Sequence, residues 1–185
     1  VTSDVDQLTP EEFEKSLRQL SNKYITNPTI DYWRNSLSCE KQLYLKSGMD
    51  FPSLHQAACD VLAAFIAADV RIIAGTDTPA RPGIAGHILQ QELAEYVRLG
   101  MSPWQALRSA TNNVARTVEQ EDPFGQIEAN MRANVVLLLA DPLEAIKNLE
   151  AIERIVQRGK ILGRKQLDRF LKEVTQLVKN ANQTH

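Results

Sequence analysis

Few residues in this chain could do chemistry, and they are scattered. The candidates are the histidines His55, His87 and His185, and Asp77, which falls within the stretch RIIAGTDTPARPG, Arg71 to Gly83. A carboxylate at the carboxyl end of a buried parallel strand is placed to act as a general base or metal ligand. Gly75 lets the backbone bend just before Asp77, whereas Thr78-Pro79 would equally suit an aspartate that starts a turn or caps a helix. On the local pattern alone the turn is the commoner outcome. Zinc chemistry needs three or four convergent ligands. The chain has no His-x-His, His-Glu-x-x-His, Gly-x-Ser-x-Gly or phosphate-binding glycine loop.

Around Asp77, each further candidate carries two readings. Thr78 either assists in a site or starts a helix. Arg81 either receives a substrate carboxylate in its guanidinium fork or is a solvated loop arginine. His87 opens the next helix and either faces the same cleft or is solvated. His55 reads as a partly exposed surface histidine. A new site built from His55, Asp77 and His87 finds no support in their spacing. Cys39 and Cys59 lack Cys-x-x-Cys spacing and read as buried thiols. Trp33 and Trp104 read as core or interface aromatics.

The elements that must position these residues are mostly helices. Thr9-Pro10-Glu11-Glu12 gives a cap, an N1 proline and a capping box, followed by Phe13, Leu17, Leu20 and Tyr24 on one face. A less regular helix is predicted over Asp31 to Lys46, making residues 1–50 a helical arm. After Pro52, Ser53 is placed to cap a helix with Leu54, Ala57, Ala58, Val61, Leu62, Phe65 and Ile66 in its stripe. Val70 to Ala74 reads as a short buried strand, and Leu89, Leu93, Tyr96 and Val97 mark the helix after it, stopped by Gly100. Ser102-Pro103-Trp104-Gln105 repeats the capping box, and Thr111 is expected to cap a short turn through Arg116. Strands are then predicted at Phe124 to Glu128, Val135 to Leu139, Ile152 to Gln157 and Lys160 to Leu162, the last two joined by Arg158-Gly159. Asp141-Pro142 starts a helical or looped connection, and an amphipathic helix carrying Leu167, Phe170, Leu171, Val174, Leu177 and Val178 ends the chain.

With 185 residues, 43% of them apolar and 24% charged, the chain reads as a soluble globular α/β protein. A complete (β/α)8 barrel takes roughly 250 residues, so only part of one would fit. A net charge of −2 gives no basic footprint for nucleic acid. No apolar run reaches the ~20 residues that span a bilayer, and no secretory signal is visible. The compartment is not legible. Because the chain begins Val1-Thr2, it reads as a processed product or a piece of something longer.

Taken in order, the segments from Ser53 to Leu162 resemble the metal-dependent amidohydrolase superfamily, closest to its imidazolonepropionase- and prolidase-like members. AGTDTP resembles the end of that family's eighth barrel strand. ELAEYVRLGMSPWQALRSATNNVAR, Glu92 to Arg116, is similar to its following helices, and FGQIEANMRANVVLLLADPLEAIKNLEAIERIVQRGKIL to its return into a small β-sandwich. The resemblance implies a helix-rich C-terminal fragment of a (β/α)8 TIM-barrel amidohydrolase. Residues 1–122 would hold the last of the barrel with a helical insertion at 1–50, residues 123–163 part of the sandwich, and residues 164–185 a terminal helix.

The resemblance also implies that Asp77 is the catalytic and metal-site aspartate, taking the proton of the attacking water and delivering it to the leaving nitrogen. Zinc is the implied metal of the complete enzyme, and the reaction is hydrolysis of a carbon–nitrogen bond of amide, cyclic amide or peptide-like type in a small-molecule substrate. Thr78, Arg81 and His87 are candidates for substrate contact by their place in the same loop and the start of the next helix rather than by the resemblance. The family's first-strand His-x-His and its other metal histidines fall upstream of anything here. Leu89-Gln90 replaces the usual Leu-His, Ala129-Asn130-Met131 the usual Pro-Gly-Lys, and Ala133-Asn134 the usual Ala-Asp. The chain alone is therefore expected to be inactive and to self-associate, with neither nucleic acid nor membrane as partner. The alternative is an independent, non-catalytic interaction domain derived from that fold.

Overall fold

The computed structural model describes residues 23–47, 51–78, 83–118 and 123–183. The helix predicted from Thr9, and Arg81, lie outside them. Six α-helices are described: α1 Asn27–Ser47, α2 Phe51–Ala67, α3 His87–Arg98, α4 Pro103–Ser109, α5 Asn112–Ala115 and α6 Arg164–Gln183. Three strands, β1 Val135–Leu138, β2 Ile152–Gln157 and β3 Lys160–Gly163, form one antiparallel sheet in the order β1-β2-β3. A 3₁₀ helix, Ile146–Glu150, leads into β2. No described helix is long and apolar enough to cross a membrane.

The described residues gather into two compact units. The first comprises residues up to Val61, Thr76–Ile88 and the chain from Phe170 onward. Its buried centre is Ile30 and Trp33, with Ile25 packed against them. The Asn27 amide donates to Asn182 Oδ1 at 2.7 Å, joining α1 to the end of α6.

The second unit, Leu62–Gly75 and Leu89–Arg169, has a core of its own. Leu93, Tyr96, Met101 and Ala106 are buried there, and Leu62, Ile66, Ile72 and Ala74 pack on them. Local rules set its frame. Ser102 accepts from the Gln105 amide while Gln105 Oε1 accepts from the Ser102 amide, the capping box that the sequence foretells. The end of α3 is a Schellman motif: Gly100 sits at φ +115°, with Gly100 N–H on Val97 O and Met101 N–H on Tyr96 O. The end of α2 repeats it with Asp69 at φ +53°, a position where glycine is usual. The β2–β3 turn, Arg158-Gly159, has positive φ at both residues, as a type I′ hairpin demands. Asn134 Oδ1 secures it by accepting from the Arg158 amide at 2.8 Å.

The structure corrects several local expectations. Helix α2 begins at Phe51, so Pro52 lies in its first turn, where a missing N–H costs little, and Ser53 is not its cap. Thr111 makes no side-chain cap; its hydroxyl donates back to Leu107 O. Residues Phe124 to Glu128 are not a strand, because Gly125 turns at φ +88°. A Cβ there would lie 2.6 Å from Ala115 Cβ, so only glycine lets the chain pass. Trp33 is buried as expected, whereas Trp104 is largely exposed. Val70 to Ala74 is extended but carries no strand ladder, since helices rather than strands flank it among the described residues.

Candidate active site

The extended segment from Val70 to Thr78 is held by four hydrogen bonds from other parts of the chain. Val70 N–H donates to Phe65 O, and Ala74 N–H to Ser109 O at 3.0 Å. Asn113 Nδ2 donates to Ile72 O at 2.8 Å, and Gly75 N–H to Glu92 Oε1 at 3.0 Å. From Arg71 to Thr78 burial alternates residue by residue: Ile72, Ala74, Thr76 and Thr78 are half-buried, while Arg71, Ile73, Gly75 and Asp77 are exposed. Such a period of two is what an extended strand makes when one face packs and the other is bare. Asp77, which falls in the first unit, is exposed.

Asp77 itself has φ +52°, in the left-handed region. Aspartate tolerates that conformation better than most residues, and it marks a local cost of the kind concentrated at functional positions. Thr78 Oγ1 lies 2.8 Å from Thr76 Oγ1, so these hydroxyls are engaged with each other. His87 is exposed at the first position of α3. No hydrogen bond or ion pair among the described residues joins Asp77, Thr78 and His87, so they share a region of the chain without forming a constellation. His55 corrects its expectation. It is buried, with Nε2 3.5 Å from Cys59 Sγ one turn on along α2.

Residues that the sequence reading passed over do most of the positioning. Glu92 is only 5% exposed, and its Oε1 accepts from both the Gly75 amide and the Tyr96 hydroxyl, the latter at 2.5 Å. Its Oε2 is buried without a hydrogen-bond partner among the described residues. The available signal was a glutamate inside the apolar stripe of α3, one position before Leu93 and one turn before Tyr96. Glu95, three residues on, is also buried and pairs with Arg98, whose Nε donates to Glu95 Oε2 at 2.9 Å.

Burial, and secondarily the hydrogen bond and charge of Glu92, raise the Tyr96 hydroxyl well above the ordinary phenol range. The folded state thus holds this proton where the unfolded chain releases it. Stability from this group is complete below about pH 10, the unfolded value, and declines as pH rises towards the folded one. The expected decline is about 1.4 kcal/mol per pH unit. Tyr96→Phe should remove that alkaline slope, checked by urea unfolding at stepped pH against the wild type.

Against this geometry, the model of the amidohydrolase family matches residues 40–162. The chain belongs to the amidohydrolase family. Three solved structures resemble it over part of their length. Phenylurea hydrolase B is 31% identical with a TM-score of 0.51, over 56% of this chain and 26% of that one. A Xaa-Pro dipeptidase with methionine bound in its active site is 24% identical with a TM-score of 0.54, over 69% and 33%. Molinate hydrolase is 22% identical with a TM-score of 0.53, over 85% and 36%. The last two likenesses are of fold alone. This amidohydrolase chain therefore spans about a quarter to just over a third of these structures. No curated protein matches it.

Among the described residues, a metal such as zinc does not find a complete site around Asp77. One exposed carboxylate stands where three or four ligands must converge, and no hydrogen bond holds His87 to it. His55 and Cys59 offer donor types that zinc accepts, and His55 Nε2 lies 3.5 Å from Cys59 Sγ on α2.

Proposed function

We propose that this chain is the C-terminal part of a (β/α)8-barrel amidohydrolase that hydrolyses a carbon–nitrogen bond in a small molecule. Val70 to Ala74 is the last barrel strand, within residues 1–122 that close the barrel. Residues 123–163 belong to the small sandwich and 164–185 form the terminal helix. One observation carries this reading. An extended segment packs on helices by one face, leaves the other bare, and ends on an exposed aspartate at positive φ. That bare face is where the rest of a barrel would lie, and the carboxyl end is where barrel enzymes work. The names of the matched structures, hydrolases of a phenylurea and of molinate and a dipeptidase, agree with hydrolysis as the reaction class.

Asp77 is the proton carrier, accepting from the attacking water and returning the proton to the leaving nitrogen. Thr78, Arg81 and His87 are the residues nearest to it along the chain that could meet a substrate. Zinc, held by Asp77 and histidines from the remainder of the enzyme, would supply a polarised carbonyl and an acidic water when bound. The chain by itself is inactive. Phe65, Val70 and Ile73, 50%, 48% and 41% exposed within one unit, make it prone to self-association.

The test is the intact mass of the native polypeptide in its source cells, followed by assay of that polypeptide. A species far larger than 20.8 kDa that binds metal and cleaves amides supports the reading. A native species of 20.8 kDa overturns it and favours an interaction domain built on the amidohydrolase fold.

A further inference from the structure

The start of the extended segment bounds a cleft of about 250 Å³, at the other end of that segment from Asp77. Arg71, Arg108 and Arg116 line it, with Gln105, Asn113 and a single carboxylate, Asp69. The local folding rules already described bring these groups together. The Schellman turn at Asp69 ends α2 and releases Val70 to Ile72 in extended form. Arg108 falls in the last turn of α4 and Arg116 at the C-cap of α5. Asn113 ties α5 to Ile72 through its amide nitrogen.

Among the described residues, none of the three guanidinium groups has a hydrogen-bond or ion-pair partner. Favourable interaction with the ends of α4 and α5 accounts for positive charge at Arg108 and Arg116. It does not account for Arg71, which lies on the extended segment, nor for all three lining one concavity. Three like charges around one cleft repel, and Asp69 offsets one at most. A guanidinium presents a planar fork of donors matched to the oxygens of phosphate or carboxylate. Pockets for drug-sized ligands hold roughly 300–1,000 Å³, so this cleft suits something smaller.

We propose that the cleft framed by Arg71, Arg108 and Arg116 is a binding site for a small oxyanion, a phosphate or carboxylate group. It is independent of the reaction assigned to Asp77. The site is tested on the native polypeptide by titrating inorganic phosphate, and separately succinate, with chloride at matched ionic strength as the control. Calorimetry and the thermal midpoint are the readouts. One of the two anions should bind and raise the midpoint beyond chloride, and which of them does so identifies phosphate or carboxylate as the natural group. Arg108→Gln should weaken that binding at least tenfold. Arg71→Gln should do the same, with an unchanged midpoint in chloride as the check that this variant folds like the wild type. If neither anion exceeds chloride, or if Arg71→Gln binds as the wild type does, the proposal is overturned.

Discussion

Asp77→Asn in the complete enzyme should lower kcat by about 10²–10⁴-fold, the range for loss of a positioned general base. Asparagine matches aspartate in shape but cannot take a proton from water or pass one to a leaving nitrogen. It is also among the few residues at ease in the left-handed region, so the backbone at φ +52° should be undisturbed. Metal content should stay near that of the wild type if histidines elsewhere provide most of the ligation. Asp77→Ala would combine lost chemistry with lost conformational preference, which makes asparagine the sharper probe. Steady-state kinetics with metal analysis on the same preparation checks the expectation. Unchanged kcat would remove Asp77 from the reaction altogether.

The second large effect concerns Glu92. Truncation to alanine strips the acceptor from the Gly75 amide and from the Tyr96 hydroxyl at once. Each buried group left unpaired costs about 1–3 kcal/mol, and relief of the unpartnered Oε2 returns part of that. A net loss of about 2–4 kcal/mol is expected, a large share of the stability of an ordinary domain. Glu92→Gln keeps an acceptor at Oε1 and should cost no more than ~1 kcal/mol. Urea unfolding measures both, and amide exchange at Gly75 locates the effect: it should quicken in the alanine variant and barely change in the glutamine one. An alanine variant as stable as the wild type, with Gly75 equally protected, would show that the carboxylate does not hold the segment.

What was legible in the sequence was chiefly local. The capping box at Ser102, the stop at Gly100 and the hairpin at Arg158-Gly159 depend on neighbours within a few positions, and each occurs where its pattern lies. The order of segments from Ser53 to Leu162 also sufficed to indicate the family, since the matched span of 40–162 contains it. What was not legible depends on distant partners. The apolar stripe around Glu92 hints at its burial but not at its acceptor role, which is defined by Gly75, 17 residues earlier. The run at Val70 to Ala74 has strand composition, but a ladder is a property of neighbours. Phe124 to Glu128 failed for the opposite reason: Gly125 was visible, but not its close approach to Thr111 and Ala115. The burial of His55 is not legible either, because partners and packing decide whether an imidazole beside an apolar stripe is exposed.

The tethers on the extended segment also set an order of events during synthesis. Three of its four anchors, Glu92, Ser109 and Asn113, come later in the chain than the residues they hold, Asn113 by 41 positions. A segment leaving the ribosome cannot take its final register until those helices have followed it out. Ile72 therefore waits, at 5–20 residues per second, for roughly two to eight seconds before its last clamp exists. Until then the apolar run around it is open to mispairing, and a chaperone that holds it during that interval would raise the yield of folded protein without touching the finished structure.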